Sequence, residues 1–222
     1  MLPATPIITI GAPLIELLSV DSTNIYAMEQ IKAGKAISGS CYTTPFQTNG
    51  KGQHGRVWES EKGQNLLSSY VLELKQLKTG KIWTPADQIG FSAAIALGAR
   101  AFFASFAGAE TKIKKPNDIY YRDRKAGGIL IENLVRGKDW TWTIIGIGMN
   151  INQGSFSSAA VNQIAANPIS LQEITNQIWD LKKMQKHLSE ALTVSIQNWL
   201  MQGDEKTIEA LNDVCIEIND KK

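Results

Sequence analysis

The chain has 222 residues, with 23 Lys and Arg against 21 Asp and Glu for a formal charge of +2, 43% apolar residues and 20% charged ones. This is the mix of a folded globular protein about one large domain in length, and it excludes a disordered chain or a polybasic tail protein. The two cysteines, Cys41 and Cys215, and the two histidines, His54 and His187, lack the spacing of a zinc site, so reduced thiols in a cytoplasmic protein are the simplest reading.

No Lys or Arg precedes Lys32, so the apolar start lacks the basic region of a secretory signal. Asp21-Ser22-Thr23-Asn24 offers several N-cap side chains and predicts a helix through Ile31. Ser38–Thr44 reads as a short strand, followed by a glycine-rich loop over Gln47–Trp58. Leu66–Leu74 alternates like a strand buried on at least one side. Thr84-Pro85-Ala86-Asp87 opens an Ala/Gly-rich helix to about Phe106, whose small residues suit close packing on a sheet. Its longest uncharged stretch, Gln88–Ala99, is shorter than a membrane span, and no membrane association is expected.

Strand-like runs follow at Lys112–Lys114 with Ile119–Tyr121, at Gly127–Arg136 and at Trp140–Ile151. The turns between them are short, which makes the strands antiparallel neighbours. In the last run Trp140, Trp142 and Ile144 are expected on one face. That face or an exposed sheet edge offers a place for a homodimer, or packs inside the fold. Ser170-Leu171-Gln172-Glu173 predicts a capping box, and Met184, Leu188, Ala191, Leu192, Ser195 and Trp199 trace the apolar stripe of a longer helix. The expected fold class is therefore α+β, a mainly antiparallel sheet packed with helices.

Three segments carry chemistry. Gly50-Lys51-Gly52-Gln53-His54-Gly55 matches G-x-G-x-x-G, but no helical stripe follows, so neither a dinucleotide site nor a P-loop fits. What remains is a loop that brings backbone N–H groups and the cations Lys51 and Arg56 to an anion, with Trp58 as a flat ring beyond; the alternative is a solvated hairpin. Lys114-Lys115-Pro116-Asn117-Asp118 is a poor strand interior, so a bulge or bend belongs there. Asp118 either pairs with Lys114 or holds Mg²⁺ against phosphate oxygens. Six basic residues face two acids between Lys112 and Lys125. Gly127-Gly128 leaves room for something bulky, and Gly146 and Gly148 share a strand face that forms either a slot for a flat ligand or a seat for a helix.

In this order, Asp21–Asn24, Gln47 with Gly50–Trp58, Lys114–Tyr120, Lys125–Glu132 and Gly146–Asn150 strongly resemble the biotin protein ligases (biotin–[acetyl-CoA carboxylase] ligases). The resemblance implies a catalytic domain related to class II aminoacyl-tRNA synthetases, over residues 1–200, with a short tail at 201–222. The family's C-terminal β-barrel and N-terminal DNA-binding domain are not expected. It implies adenylation of biotin by ATP with Mg²⁺, then transfer to a lysine of a biotin carboxyl carrier protein. By this likeness Ser22, Thr23, Asn24, Gln47, Lys51, Gly52, Gln53 and Lys125 contact biotin. Arg56, Trp58, Asn117 and Asn150 serve ATP, Asp118 meets the metal, and Lys51, Arg56 and Lys125 are the catalytic cations. Lys51, Gln53 and His54 stand where the family often has arginine, so a looser hold on the adenylate is expected. The loop from Ser40 to Trp58 is expected to move without ligand. Lipoate or octanoate ligases, and a degenerate binding protein, are the alternatives.

Overall fold

A computed structural model describes residues 9–77, 80–156 and 167–217. The described strands are β1 (Leu14–Glu16), β2 (Cys41–Thr43), β3 (Leu66–Glu73), β4 (Thr111–Lys114), β5 (Asp118–Tyr121), β6 (Arg124–Arg136), β7 (Asp139–Met149) and β8 (Cys215–Ile216). They form one sheet in the order β1-β2-β3-β7-β6-β5-β4-β8. All pairings are antiparallel except β1 with β2 and β4 with β8, at the two edges. The helices are α1 (Thr23–Lys32), α2 (Gln88–Ala107), α3 (Leu171–Thr175), α4 (Leu181–Gln202) and α5 (Asp204–Asp213).

The sheet is covered on both faces, and the parity of each strand decides which residue goes where. On β3, Leu66, Tyr70 and Leu72 join the main core with Phe91, Phe102 and Phe103 of α2 and Leu188, Leu192 and Ile196 of α4. Val71 points the other way and packs with Ala27 and Ile31 of α1 and Ile144 of β7. Burial on both sides explains why β3 reads as nearly continuous apolar sequence.

Several expectations are corrected by packing. Residues 85–107 are long and apolar enough to cross a membrane by length and composition, longer than the stretch read from the sequence, because Arg100 interrupts the run without ending it. More than half of its most apolar window is buried inside the fold. The helix packs on β4 and β5 as expected, and its Gly98 serves helix-on-helix contact as well: a Cβ there would lie 3.0 Å from Ser195 Cβ and 3.1 Å from Leu192 Cα of α4. Trp140 and Trp142 do not share a face. The register slips between Leu134 and Val135, so Leu134 pairs with Trp142 and Val135 with Trp140. The extra residue, Thr141, turns Trp140 into the main core, edge-on to Phe91. Buried there, Trp140 offers no face for a dimer.

The capping box at Ser170 is half formed. Ser170 Oγ accepts from Glu173 N at 3.1 Å, but the Glu173 carboxylate pairs with Arg124 of β6 instead. At Thr84 the box is complete, leading through a 3₁₀ turn into α2. Within the segment read as a tail, α5 packs on α2, and β8 adds a strand beside β4.

Candidate functional site: a polar pocket under a glycine hairpin

The pocket opens on the α1 face of the sheet, over the ends of β6 and β7. It is a cleft open to solvent on one side, with about 790 Å³ of space between its walls when the open solvent is counted. Ser22, Thr23, Asn24, Gln47, Lys51, Gly52, Gln53, Arg56, Trp58, Asn117, Asp118 and Lys125 all border it. These residues span more than a hundred positions of sequence and meet at one place.

One wall is the start of α1. Ser22 is the N-cap residue, yet its side chain makes no capping bond. The orphan Thr23 N–H donates instead to Gln47 Oε1 at 2.8 Å, and Thr23 Oγ1 donates to the same oxygen at 3.1 Å. The helix start thus orients Gln47 rather than capping itself. Ser69 of β3, absent from the sequence-level candidates, lies 2.7 Å from Thr23 Oγ1 and donates to Asn24 Oδ1 at 2.5 Å. Its only sequence signal is a hydroxyl on the strand face otherwise held by Leu67 and Val71. Gly146 makes this wall fit: a Cβ there would come within 2.4 Å of Asn24 Oδ1. Thus Gly146 seats a helix, the plainer of its two sequence-level readings.

Gly148 answers to the other. Gly148 and Gly128 are register partners on β7 and β6, and the Trp58 indole rests on both. A Cβ at Gly148 would sit 2.4 Å from the ring, and one at Gly128 3.0 Å away. The indole N–H is buried without a hydrogen-bond partner. The strip does hold a flat ring, and the ring is the protein's own.

Gly50–Trp58 forms a small hairpin, the alternative weighed for this loop, and no helix follows it. Lys51 bridges Val57, Gly52 N donates to Arg56 O at 2.7 Å, and Trp58 N donates to Gly50 O at 2.8 Å. Its tip places His54 and Gly55 at φ of 55° and 75°, the left-handed region that glycine enters freely. Lys51 and Arg56 stay exposed at the mouth.

The opposite wall holds the Lys125–Asp118 pair, with Nζ 2.7 Å from Oδ1. The expected bulge or bend is present, for the register of β5 against β6 shifts between Ile119 and Tyr120. Asp118 pairs with Lys125 rather than with Lys114, its register partner across a tight turn. The two side chains are only 13% and 21% exposed, and Lys125 Nζ lies 5.7 Å from the Trp58 ring centre. The Lys125 backbone is clamped on both sides: its N–H donates to Asn167 O and its carbonyl accepts from Ile169 N. Asn117 lines the pocket while its Nδ2 donates to Ile129 O at 2.6 Å. Asn150 alone among the sequence-level candidates does not border the pocket. It is buried, and its Nδ2 donates to Lys125 O at 3.3 Å and Ile169 O at 3.2 Å, so it holds the strand that carries Lys125.

Among the described residues no cluster of three or more His, Cys, Asp or Glu forms a metal cage. Asp118 is the sole acid among the described residues on the pocket wall, a donor set that suits Mg²⁺ arriving with phosphate oxygens rather than a resident ion.

A wall of uncharged hydrogen-bonding side chains faces a cationic wall and a cationic hairpin, an arrangement suited to a polar ligand that carries negative charge. The description of the biotin/lipoate A/B protein ligase family matches residues 17–150, and the chain belongs to that family. It is 33% identical over 153 residues to the bifunctional ligase/repressor BirA of Escherichia coli, covering 69% of this chain and 45% of the relative. It is also 33% identical to the biotin–[acetyl-CoA-carboxylase] ligase of Paracoccus denitrificans, covering 74% of this chain and 65% of that one. The chain thus spans about half to two-thirds of these relatives. Among solved structures, the biotin protein ligase of Aquifex aeolicus in complex with biotin and ATP aligns with a TM-score of 0.74 at 22% identity, over 92% of this chain and 79% of that one. The Leishmania major ligase in complex with biotinyl-5-AMP gives 0.69 at 21% identity, over 95% and 85%. The likeness bears out the α+β ligase fold.

Proposed function

We propose that the chain is an ATP-dependent biotin–protein ligase acting on a biotin carboxyl carrier protein. The observation that carries this reading is one pocket joining an uncharged hydrogen-bonding wall (Thr23, Asn24, Gln47) to Lys51, Arg56 and Lys125, in a member of this ligase family. In the first step a carboxylate oxygen of biotin bonds to the α-phosphorus of ATP and the bond to pyrophosphate breaks. A carboxylate is already nucleophilic, so the step needs in-line alignment and charge neutralisation rather than a base. Lys125, held between Asp118 and the Trp58 face, is aimed at the meeting point of carboxylate and phosphate. Arg56 and Lys51 add charge from the hairpin, and Asn117 and Trp58 border the space for the nucleotide. Asp118 would hold the Mg²⁺ that screens the phosphates. In the second step a carrier lysine amine attacks the acyl carbon, the bond to AMP breaks, and the amine proton passes to solvent.

The unpaired thiols of Cys41 and Cys215 suit the reducing cytoplasm. The test is exchange of labelled pyrophosphate into ATP with Mg²⁺, run with biotin, lipoate and octanoate. Exchange driven by biotin alone is expected. Exchange driven by lipoate or octanoate instead would move the protein to the other branch of its family.

A further inference from the structure

Lys125 stands where its strand has lost a neighbour. β7 ends at Met149, opposite Gly127, so the Lys125 backbone, two residues earlier on β6, has no strand partner on β7. Residues 167–169 take that place. Lys125 N donates to Asn167 O at 3.2 Å and Ile169 N donates to Lys125 O at 2.9 Å, a parallel bridge centred on Pro168. Asn150 is one tie between this stretch and the strand, through its bonds to Lys125 O and Ile169 O. The other tie is the residue beside Lys125. Arg124 Nη2 donates to Pro168 O at 2.5 Å, and the two Nη atoms bond both oxygens of the Glu173 carboxylate on α3. We propose that Arg124 is a positioning residue that, with Glu173, latches residues 167–173 onto β6 and so fixes the reach of Lys125 into the pocket. The inference rests on the ligase reading above.

Two observations set this latch apart from an exposed surface ion pair, which is worth little. The pairing is bidentate, so the planar guanidinium fixes direction as well as distance. The Arg124 side chain is only 26% exposed, and its Nε is buried with no partner among the described residues. A guanidinium this desolvated depends on the bonds it does make. The far end of the latch is firm. Glu173 N donates to Ser170 Oγ at 3.1 Å, and Leu171 is fully buried in the main core. Arg124 itself does not border the pocket, so it acts on the reaction through what it holds.

Without Arg124 the stretch 167–169 is tied to β6 by Asn150 and the bridge alone. As it lifts, Lys125 loses its backbone bonds on one side while Asp118 still draws its Nζ from the other. The ammonium then sits off the line between carboxylate and α-phosphate, and a displacement of about 1 Å can cost up to about a hundredfold in rate.

The experiment is a double-mutant cycle read by biotin-dependent pyrophosphate exchange, run well below the lowest melting temperature of the set. Arg124→Ala and Glu173→Ala are each expected to lower kcat roughly tenfold. In a Lys125→Ala background either change should cost less than about twofold more, because the group they position is gone. Arg124→Lys keeps the charge without the fork and should fall between Arg124→Ala and the wild type. Losses that multiply fully in the double variants would overturn the proposal, and so would wild-type exchange by a folded Arg124→Ala protein. A Glu173→Ala protein as fast as the wild type or faster would also overturn it, since the free charge of Arg124 would then be what matters. Should Arg124→Ala not fold, Glu173→Ala, at the more exposed end of the latch, carries the same cycle. A wild type that exchanges with none of biotin, lipoate and octanoate would instead sink the ligase reading, and this inference with it.

Discussion

At the scale of single residues, the pocket depends on side chains held by partners rather than on side chains free to reach. Lys125 is aimed by Asp118, by the clamped backbone around it and by the indole beside it. Lys125→Ala removes the cation and leaves the Asp118 carboxylate as an unbalanced negative charge where phosphate must approach. A loss of about a hundredfold or more in biotin-dependent pyrophosphate exchange is expected in a protein that still folds, with a lowered melting temperature because the largely buried Asp118 loses its partner. A variant exchanging at the wild-type rate would take Lys125 out of the mechanism. Which residues line the pocket was largely readable, because cations, carboxamides and glycines stand out in short segments of the sequence. The supporting groups were not. Ser69 looks like any strand serine, and Asn150 looks like a ligand-binding carboxamide until its bonds to Lys125 O and Ile169 O are seen.

At the scale of elements, the same small side chains do different work according to what approaches them. Gly98 lets α2 and α4 close on each other, whereas Gly148 makes room for an aromatic ring. Gly98→Leu forces a side chain against Ser195 and the α4 backbone, and overpacking of this kind costs about 1–3 kcal/mol. In a domain of this size that lowers the melting temperature by roughly 2–4 °C per kcal/mol. The measurement is calorimetry beside exchange activity at low temperature, which should survive because the pocket lies on the other face of the sheet. Equal loss of stability and low-temperature activity would show that the two faces are coupled. Helix and strand types were legible from apolar stripes, capping residues and the short turns between strands. The bulge at Thr141 was not: one inserted residue reverses the facing of Trp140, and nothing local in Trp-Thr-Trp announces it.

At the scale of the whole molecule, buried ionisable groups bound the pH range of stability. On the acid side, burial works against the charge of Asp87, but bonds from Lys81 and Thr84 outweigh it and hold its carboxyl below the usual value. Its stabilising effect is present above the unfolded carboxyl's pKa and is lost as pH falls through the lower folded one. On the alkaline side, burial pushes the Cys41 thiol up to about 12, against weaker opposing bonds from Ser68 and Tyr70. Burial likewise raises the Tyr70 hydroxyl well above its usual range, and the neighbouring Cys41 adds to it. Unfolding releases both groups to ionise, so stability is complete below the unfolded thiol's pKa and declines as pH rises from there toward the folded values. The urea midpoint should therefore be flat near neutrality and fall from about pH 9 upward. A midpoint that stays level to about pH 11 would show that these groups ionise equally well inside the fold.

Composition, strand alternation and the order of five short segments carried the α+β class, the family resemblance and most of the residues that line the pocket. These are properties of residue types and their spacing, which survive without coordinates. Tertiary structure alone decided which partner each polar group keeps: Asp118 with Lys125, Glu173 with Arg124, Asn24 between Ser69 and Glu132. It also decided that Trp58 lies on the Gly128–Gly148 strip. The reason is physical. A side chain's type states what bonds it can make, but which bonds it does make depends on distances of a few tenths of an ångström between strands and helices far apart in the chain.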